Sequence, residues 1–330
     1  MKQDTIHGTV PISAGQADDL ISTAARAPSV HNTQPWRFKV GEYAVEVYAD
    51  PKRKLRVDPI GREMLISCGA ALFGLRLAVR SLGYQPVVAL LPDPDRTRLL
   101  ARVSMGAAEP LSVWERQLLT AMPHRHTHRG PFSPDPLPAG LLAGLQHDAL
   151  AEGARLEIID RGLAFQRLAD IMDAARRKQD LDPAARADMY RWSQGRDSLS
   201  RDGVPLRAIA TRGASRPGRL PQRDFDMGRG LGLLDIEGPP PAATAILLTD
   251  RDGRADWLRA GQALHRVLAH AAGKWVFASM HTQPLEDAVI RALIRQRLTL
   301  SGAPQVIVQL GLCDTTHPTG RRPPADLIEP

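Results

Sequence analysis

The chain has 330 residues, 43% of them hydrophobic and 24% charged, with a formal net charge of +7 at pH 7. That length exceeds the usual size of one domain, so two domains or two halves of a pseudo-symmetric unit are expected, and the composition excludes disordered and collagenous chains. The positive charge does not point to nucleic acid, because arginine is scattered and no aromatic-basic platform for single strands occurs.

The N-terminal stretch Met1 to Pro11 carries Lys2, Asp4 and His7 without the apolar run of a secretion signal. Strongly apolar stretches such as Ile246 to Thr249 and Val306 to Leu310 have strand length, far short of the roughly 20 residues that cross a bilayer. No membrane partner is expected, and the cytoplasm is the expected location. Of the two cysteines, Cys68 sits in an apolar helical pattern where a buried, inert thiol is the ordinary outcome. Neither Cys68 nor Cys313 is assigned to a disulfide or a metal.

Leu20, Ile21, Ala24 and Ala25 form a short helical stripe that Pro28 interrupts. Trp36 to Val40 and Ala44 to Ala49 then alternate as strands, with Gly41 and Glu42 as the turn. Glu63 to Leu82 has helical spacing at Leu65, Ala71, Leu72, Leu75, Ala78, Val79 and Leu82, stopped by Gly83, and is apolar enough to be central. Gln85 to Leu91 reads as a strand and Pro110 to Ala121 as a helix leading into the basic stretch Arg125 to Arg129. The segment Arg176 to Gly230 is rich in Arg, Asp, Gly and Pro with weak periodicity, which predicts an insertion or lid. After Pro239-Pro240-Pro241 come a strand at Ala245 to Leu248, a turn at Asp250 to Gly253 and a helix from about Trp257 to Ala272. Gly69-Ala70-Ala71-Leu72 aligns with Gly261-Gln262-Ala263-Leu264, and a strand-like stretch follows each helix, so the second half repeats the first weakly.

The string from Ala24 to Phe38, AARAPSVHNTQPWRF, carries a helix into a turn crowded with Ser29, His31, Asn32, Thr33 and Gln34. Such side chains both donate and accept hydrogen bonds and suit a flat heterocycle; a helix end with turn-forming polar residues is the other reading. Arg125, Thr127 and Arg129 alternate on one face of an extended segment, a cradle for a phosphate, although basic clusters are more often solvated. His124, His126 and His128 lack the neighbouring cysteine or carboxylate ligands of a zinc signature, so no metal is assigned. Gly228, Gly230 and Gly232 do not have dinucleotide-binding spacing, and Rossmann and P-loop readings are unsupported.

The first string resembles the flavin-contacting motif of the FMN-dependent nitroreductase family, approximately Ala-x-x-Ala-Pro-Ser-x-x-Asn-x-Gln-Pro-Trp-x-Phe. The resemblance implies that Pro28, Ser29, Val30, His31 and Asn32 lie against FMN, with Gln34, Pro35 and Trp36 structural. Arg125 to Phe132 resembles the family's basic segment, which implies flavin contacts for Arg125, Thr127 and Arg129. Ala278 to Glu286 is similar to its loop at the flavin ring, implicating Gln283 and Pro284, and Pro318 to Pro323 to its C-terminal arginine, implicating Arg321 and Arg322 on the phosphate. Together these matches run from about residue 18 to 324.

The basic segment stands in mid-chain, after the Pro-Ser-x-x-Asn half, an order that resembles the Acg-like branch of the nitroreductase superfamily. What this implies is an α+β, nitroreductase-like fold: a tandem pseudo-dimer of two mixed-sheet halves flanked by helices, residues 1–115 and 116–330, the second holding a lid-like insertion at about 176–230. The implied activity is an FMN-dependent NAD(P)H oxidoreductase, passing hydride through flavin N5 to a nitro or quinone-type acceptor. The flavin carries the chemistry, so no catalytic side chain is assigned. NADH or NADPH and a small electron-poor substrate are the implied partners, in a monomeric pseudo-dimer or a homodimer. The lid-like insertion motivates a different class, a protein that stores or sequesters FMN, under stress for instance, with little turnover.

Overall fold

The structure, a computed structural model, describes residues 10–195, 198–209, 220–221, 223, 225, 239–313 and 318–329. Helix α1 (Ala14–Ala24) starts at Ser13, whose hydroxyl accepts from the Gln16 N–H while the Gln16 side chain returns the bond. It begins six residues before Leu20, the first position of the predicted stripe, because this capping box lies upstream of the apolar positions. Strands β1 (Trp36–Val40) and β2 (Ala44–Ala49) form the predicted antiparallel hairpin, Trp36 opposite Ala49 and Val40 opposite Val45. Then follow helix α2 (Arg62–Ser81) and strands β3 (Tyr84–Leu90) and β4 (Leu99–Ala108), completing an antiparallel sheet of order β1-β2-β4-β3.

The chain continues through α3 (Val113–Ala121), α4 (Leu141–Ala151), β5 (Arg155–Ile159), α5 (Leu163–Asp180), α6 (Pro183–Trp192) and the two-residue strands β6 (Ser193–Gln194) and β7 (Val204–Pro205). Beyond the insertion come β8 (Ala243–Thr249), α7 (Arg254–Gly273), β9 (Val276–His281), α8 (Gln283–Glu286), α9 (Ala288–Arg297) and β10 (Ala303–Leu312). The second antiparallel sheet has the order β5-β8-β10-β9. Matching β1, β2, α2, β3 and β4 to β5, β8, α7, β9 and β10 superimposes the two orders, so the weak sequence repeat is a topological duplication. Residues 115 and 116 lie inside α3.

The two halves meet where α2 crosses α7, and the crossing needs the aligned glycines. A Cβ on Gly261 would lie 1.9 Å from the Ile66 carbonyl oxygen, and one on Gly69 would lie 2.2 Å from that of Leu258. Helix α2 has the length and hydropathy of a membrane span, yet 89% of its apolar window is buried inside the protein, as expected of a core helix. The helix predicted to be central is therefore buried in the core.

Strand β8 is buried at all seven positions, so both faces of the second sheet are covered. Ala245 and Leu247 enter the main core with Val267 and Leu268 of α7, while Ile246 and Leu248 enter a second core with Phe165, Leu168 and Ile294. This second layer corrects the predicted insertion. The segment between β5 and β8 occupies the place of the short β1–β2 turn, and it opens with α5 and α6, so Arg176 lies inside a regular helix. Arg176, Arg177 and Lys178 made α5 look irregular, but Phe165, Leu168, Met172 and Ala175 give it a buried stripe. Much of the remaining predicted lid, including Gly228 and Gly230, falls outside the described residues, as does Gly232.

Candidate functional site

The turn after α1 holds three non-glycine residues in the left-handed region, His31 (φ 47°), Asn32 (φ 55°) and Gln34 (φ 49°). Such backbone persists only when neighbours over-determine it. The Ser29 hydroxyl accepts from the Gln34 N–H at 3.0 Å, and the Ser67 hydroxyl of α2 accepts from the Val30 N–H at 3.3 Å. Gln34 Nε2 donates to the Arg201 carbonyl at 2.7 Å, and Gln34 Oε1 accepts from the Arg322 N–H at 2.8 Å. Gln34 is thus a structural tie, as predicted, and Trp36 is wholly buried in the core.

This turn forms one wall of a cavity with about 950 Å³ of empty space including its mouth. Of the residues singled out in the sequence, Pro28, Ser29, Val30, His31, Thr127, Arg129 and Gln283 line it. Both ring nitrogens of His31 are buried without a hydrogen-bond partner among the described residues. Burial, then Arg223 and Arg129, hold His31 well below the usual histidine range, so it is neutral. A neutral imidazole so placed offers one donor and one acceptor.

Sequence reasoning missed much of the rest. Glu63, Ile66 and Ser67 of α2, Leu264 of α7 and Met280 of β9 also line the cavity, as do Met172 of α5 and Pro221, Arg223 and Phe225 of the insertion. The apolar members look like ordinary core residues in sequence, and Glu63 looks like a solvated helix start. It is in fact fully buried. Burial, reinforced by Glu286 and Asp58 against Arg62 and Arg223, pushes its carboxyl up to about 8.

Five predicted residues do not line the cavity: Asn32, Arg125, Pro284, Arg321 and Arg322. Arg125 and Arg321 lie behind its wall in a cationic cluster with Arg129. Burial pulls Arg321 down to about 10, helped by Arg26 and Arg129, and pulls Arg129 down to about 10. Arg125 is also lowered, by burial and then by Arg321 and Arg129. Among the described residues neither Arg125 nor Arg321 forms an ion pair with a carboxylate, and each keeps a buried Nε without a hydrogen-bond partner. Arginines crowded and desolvated in this way are stabilised by an anion carrying several acceptor oxygens.

Arg322 is directed elsewhere, toward the Asp326 carbonyl at 2.5 Å, and is half-buried beside Arg53 and Arg37. Asn32 acts through Arg321: its Oδ1 accepts from Arg321 Nη1 at 3.1 Å, while its Nδ2 donates to the carbonyls of Gly203 and Gly320. Pro284 is buried in the first turn of α8.

The extended segment turns its alternate side chains the other way. His126 stacks on Phe277 at 4.2 Å, and potential ligand atoms of His126, His128 and Cys313 lie within 4.8 Å of one another. The fold thus supplies a cysteine that the sequence did not place there, whereas His124 is not in the group. Cys68 is buried with Sγ 3.3 Å from the Pro35 carbonyl, and burial pushes its thiol up, so it is inert.

No protein-family model matches the chain. It is 33% identical over 318 residues to a Mycobacterium tuberculosis protein named "Putative NAD(P)H nitroreductase Rv3131", covering 94% of this chain and 90% of that one. To "Putative NAD(P)H nitroreductase acg" of the same organism it is 27% identical, covering 92% of each chain. A crystal structure of a nitroreductase with bound FMN from Desulfitobacterium hafniense aligns with 64% of this chain and 97% of its own, at 14% identity and a TM-score of 0.41.

Proposed function

The chain belongs to the nitroreductase superfamily, in its Acg-like branch, and on that premise we propose that it is an FMN-dependent NAD(P)H oxidoreductase acting on a nitro or quinone-type acceptor. The observation that carries this reading is the buried cationic cluster of Arg125, Arg129 and Arg321, of which Arg129 lines a largely apolar cavity and the other two lie behind it. These residues fit FMN: the guanidiniums suit a phosphate, and the partnerless nitrogens of His31 with the polar groups of Ser29, Thr127 and Gln283 suit a heterocycle.

When bound, FMN would take a hydride from reduced nicotinamide and pass the electrons on to the acceptor. The protein's own part is to bind and enclose. Arg125, Arg129 and Arg321 hold the phosphate, Asn32 orients Arg321, and Pro28 to His31 with Gln283 fix the ring. Ile66, Met172, Leu264 and Phe225, which line the cavity, would keep water from a bound ring, which would strengthen each polar contact inside. We place the junction of the two halves near residue 115, in the α3 region. The halves stand for the two subunits of a dimer, so a monomer suffices for the site. The location we propose is the cytoplasm, which two cysteines without a disulfide fit.

The insertion supports a second reading, an FMN store, because it contributes Met172, Pro221, Arg223 and Phe225 to the lining of the cavity, where they would narrow the space left for a nicotinamide beside a bound flavin. One experiment separates the two: an absorption spectrum of the purified protein, then anaerobic NADH or NADPH. Flavin bands that bleach support the reductase, and bands that persist support storage. Colourless protein that takes up no added FMN would overturn both.

A further inference from the structure

Glu63 is placed where a carboxylate cannot easily stay charged. It lies in the first turn of α2, lines the cavity and is 3% exposed, and neither carboxyl oxygen has a hydrogen-bond partner among the described residues. Arg62 Nη1 is 3.8 Å from Glu63 Oε1, an ion pair beyond hydrogen-bond reach, and Arg62 Nη2 donates to the Pro304 carbonyl and to both oxygens of Gln305. Arg223 is paired with Glu286 at 2.6 Å. Asp58, from the loop before α2, accepts the Met64 N–H at 3.0 Å and adds negative charge near Glu63, as does Glu286 of α8. The other titratable groups lining the cavity are His31, His281 of β9 and Arg129, and burial holds both histidines neutral.

We propose that Glu63 is a specificity-determining residue of the cavity, which as a neutral acid donates a hydrogen bond to an acceptor atom of the molecule bound beside it. A buried carboxylate that accepts no hydrogen bond is far costlier than a neutral carboxyl group. The neutral form carries an O–H that must itself find an acceptor, and the cavity is open to it. The ligand chemistry selected is a carbonyl, nitro or imine acceptor on an electron-poor group. A bound anion at this point would instead meet Glu63, Asp58 and Glu286. The flavin ring and the electron acceptor both carry such atoms. The inference rests on the proposed function for the identity of the ligand, but not for the protonation of Glu63.

The test compares the wild type with Glu63→Gln, which keeps the shape and a donor but does not titrate. Infrared difference spectra at pH 7 are expected to show a protonated-carboxyl band that Glu63→Gln lacks; its absence from the wild type overturns the proposal, whether or not FMN binds. Flavin-free protein is then titrated with FMN between pH 6.5 and 9.5. If Glu63 contacts the flavin, the wild-type Kd rises about tenfold per pH unit above pH 8 and that of Glu63→Gln stays flat. If it contacts the electron acceptor, FMN affinity is flat in both, and the KM for menadione in the FMN-loaded protein rises above pH 8 only in the wild type. FMN binding and menadione KM that are both independent of pH would overturn the proposal. Failure to take up FMN at all sinks the proposed function, and the infrared band then decides Glu63 alone.

Discussion

Asn32 and Arg321, 289 positions apart in sequence, are joined by a 3.1 Å hydrogen bond from Arg321 Nη1 to Asn32 Oδ1. The same nitrogen donates to Thr319 Oγ1 at 2.8 Å and to the Gly320 carbonyl at 2.9 Å, so the guanidinium is fixed on one side while its Nε remains without a partner. A polar turn of the first half thereby aims a C-terminal cation of the second.

Arg321→Gln is expected to weaken FMN binding by about 1.5–3 kcal/mol, the usual worth of a charged hydrogen bond, and to leave riboflavin affinity nearly unchanged. Arg322→Ala should change FMN affinity several-fold less, because Arg322 is directed at Asp326. Fluorescence titration with both flavins checks the pair. An equal loss in the two variants would remove Arg321 from the phosphate site.

Asn32→Ala breaks two unlike sets of bonds, those to the carbonyls of Gly203 and Gly320 and the one to Arg321. Stability and FMN affinity should therefore both fall. In a double-mutant cycle with Arg321→Gln the affinity losses should not add, with a coupling of about 0.5 kcal/mol or more. Additive losses would mean that Asn32 acts on the flavin independently of Arg321.

Gly261→Ala inserts a methyl group against the Ile66 carbonyl at the crossing of α2 and α7. Alanine favours a helix by up to about 1 kcal/mol over glycine, yet the backbone overlap should outweigh this and cost about 1–3 kcal/mol or more. Thermal unfolding should show a lower Tm than wild type. A raised Tm would show that the two helices can part without loss.

His265 is wholly buried on α7, its Nδ1–H donating to the Ala70 carbonyl at 2.7 Å. Burial, with Arg125 and Arg321, lowers it to about 3, against 6.5 for an ordinary histidine. Its folded value is depressed, so the unfolded chain takes up the proton first as pH falls. Its contribution to stability is present above pH 6.5 and is lost toward pH 3, by about 1.4 kcal/mol per pH unit between those limits. His265→Asn keeps a donor for Ala70 and removes the titration, so urea unfolding between pH 7 and 5 should show a shallower decline in the variant. Identical slopes would contradict the assignment.

Much of the secondary structure was legible because its signals are local. The β1–β2 hairpin shows in the alternation of Trp36, Phe38, Val45 and Val47 around Gly41, and α2 in its helical spacing up to Gly83, which adopts φ 85°. Strand β4, helix α4 and strand β5 went unread, since their stability comes from pairing and packing with distant segments. Helix α5 was hidden by the charges on its exposed face.

The sequence by itself determined the polar turn of Pro28 to Asn32, the alternation of Arg125, Thr127 and Arg129, and the duplicated helix carrying Gly69 and Gly261. It could do so because backbone periodicity and side-chain chemistry are properties of neighbouring residues. Only the tertiary structure decided that Arg321 rather than Arg322 joins the cationic cluster, that Asn32 serves Arg321 rather than lining the cavity, and that Glu63 is buried in its wall. Those outcomes depend on desolvation, and how much water a charge loses is set by chain segments far from it in sequence.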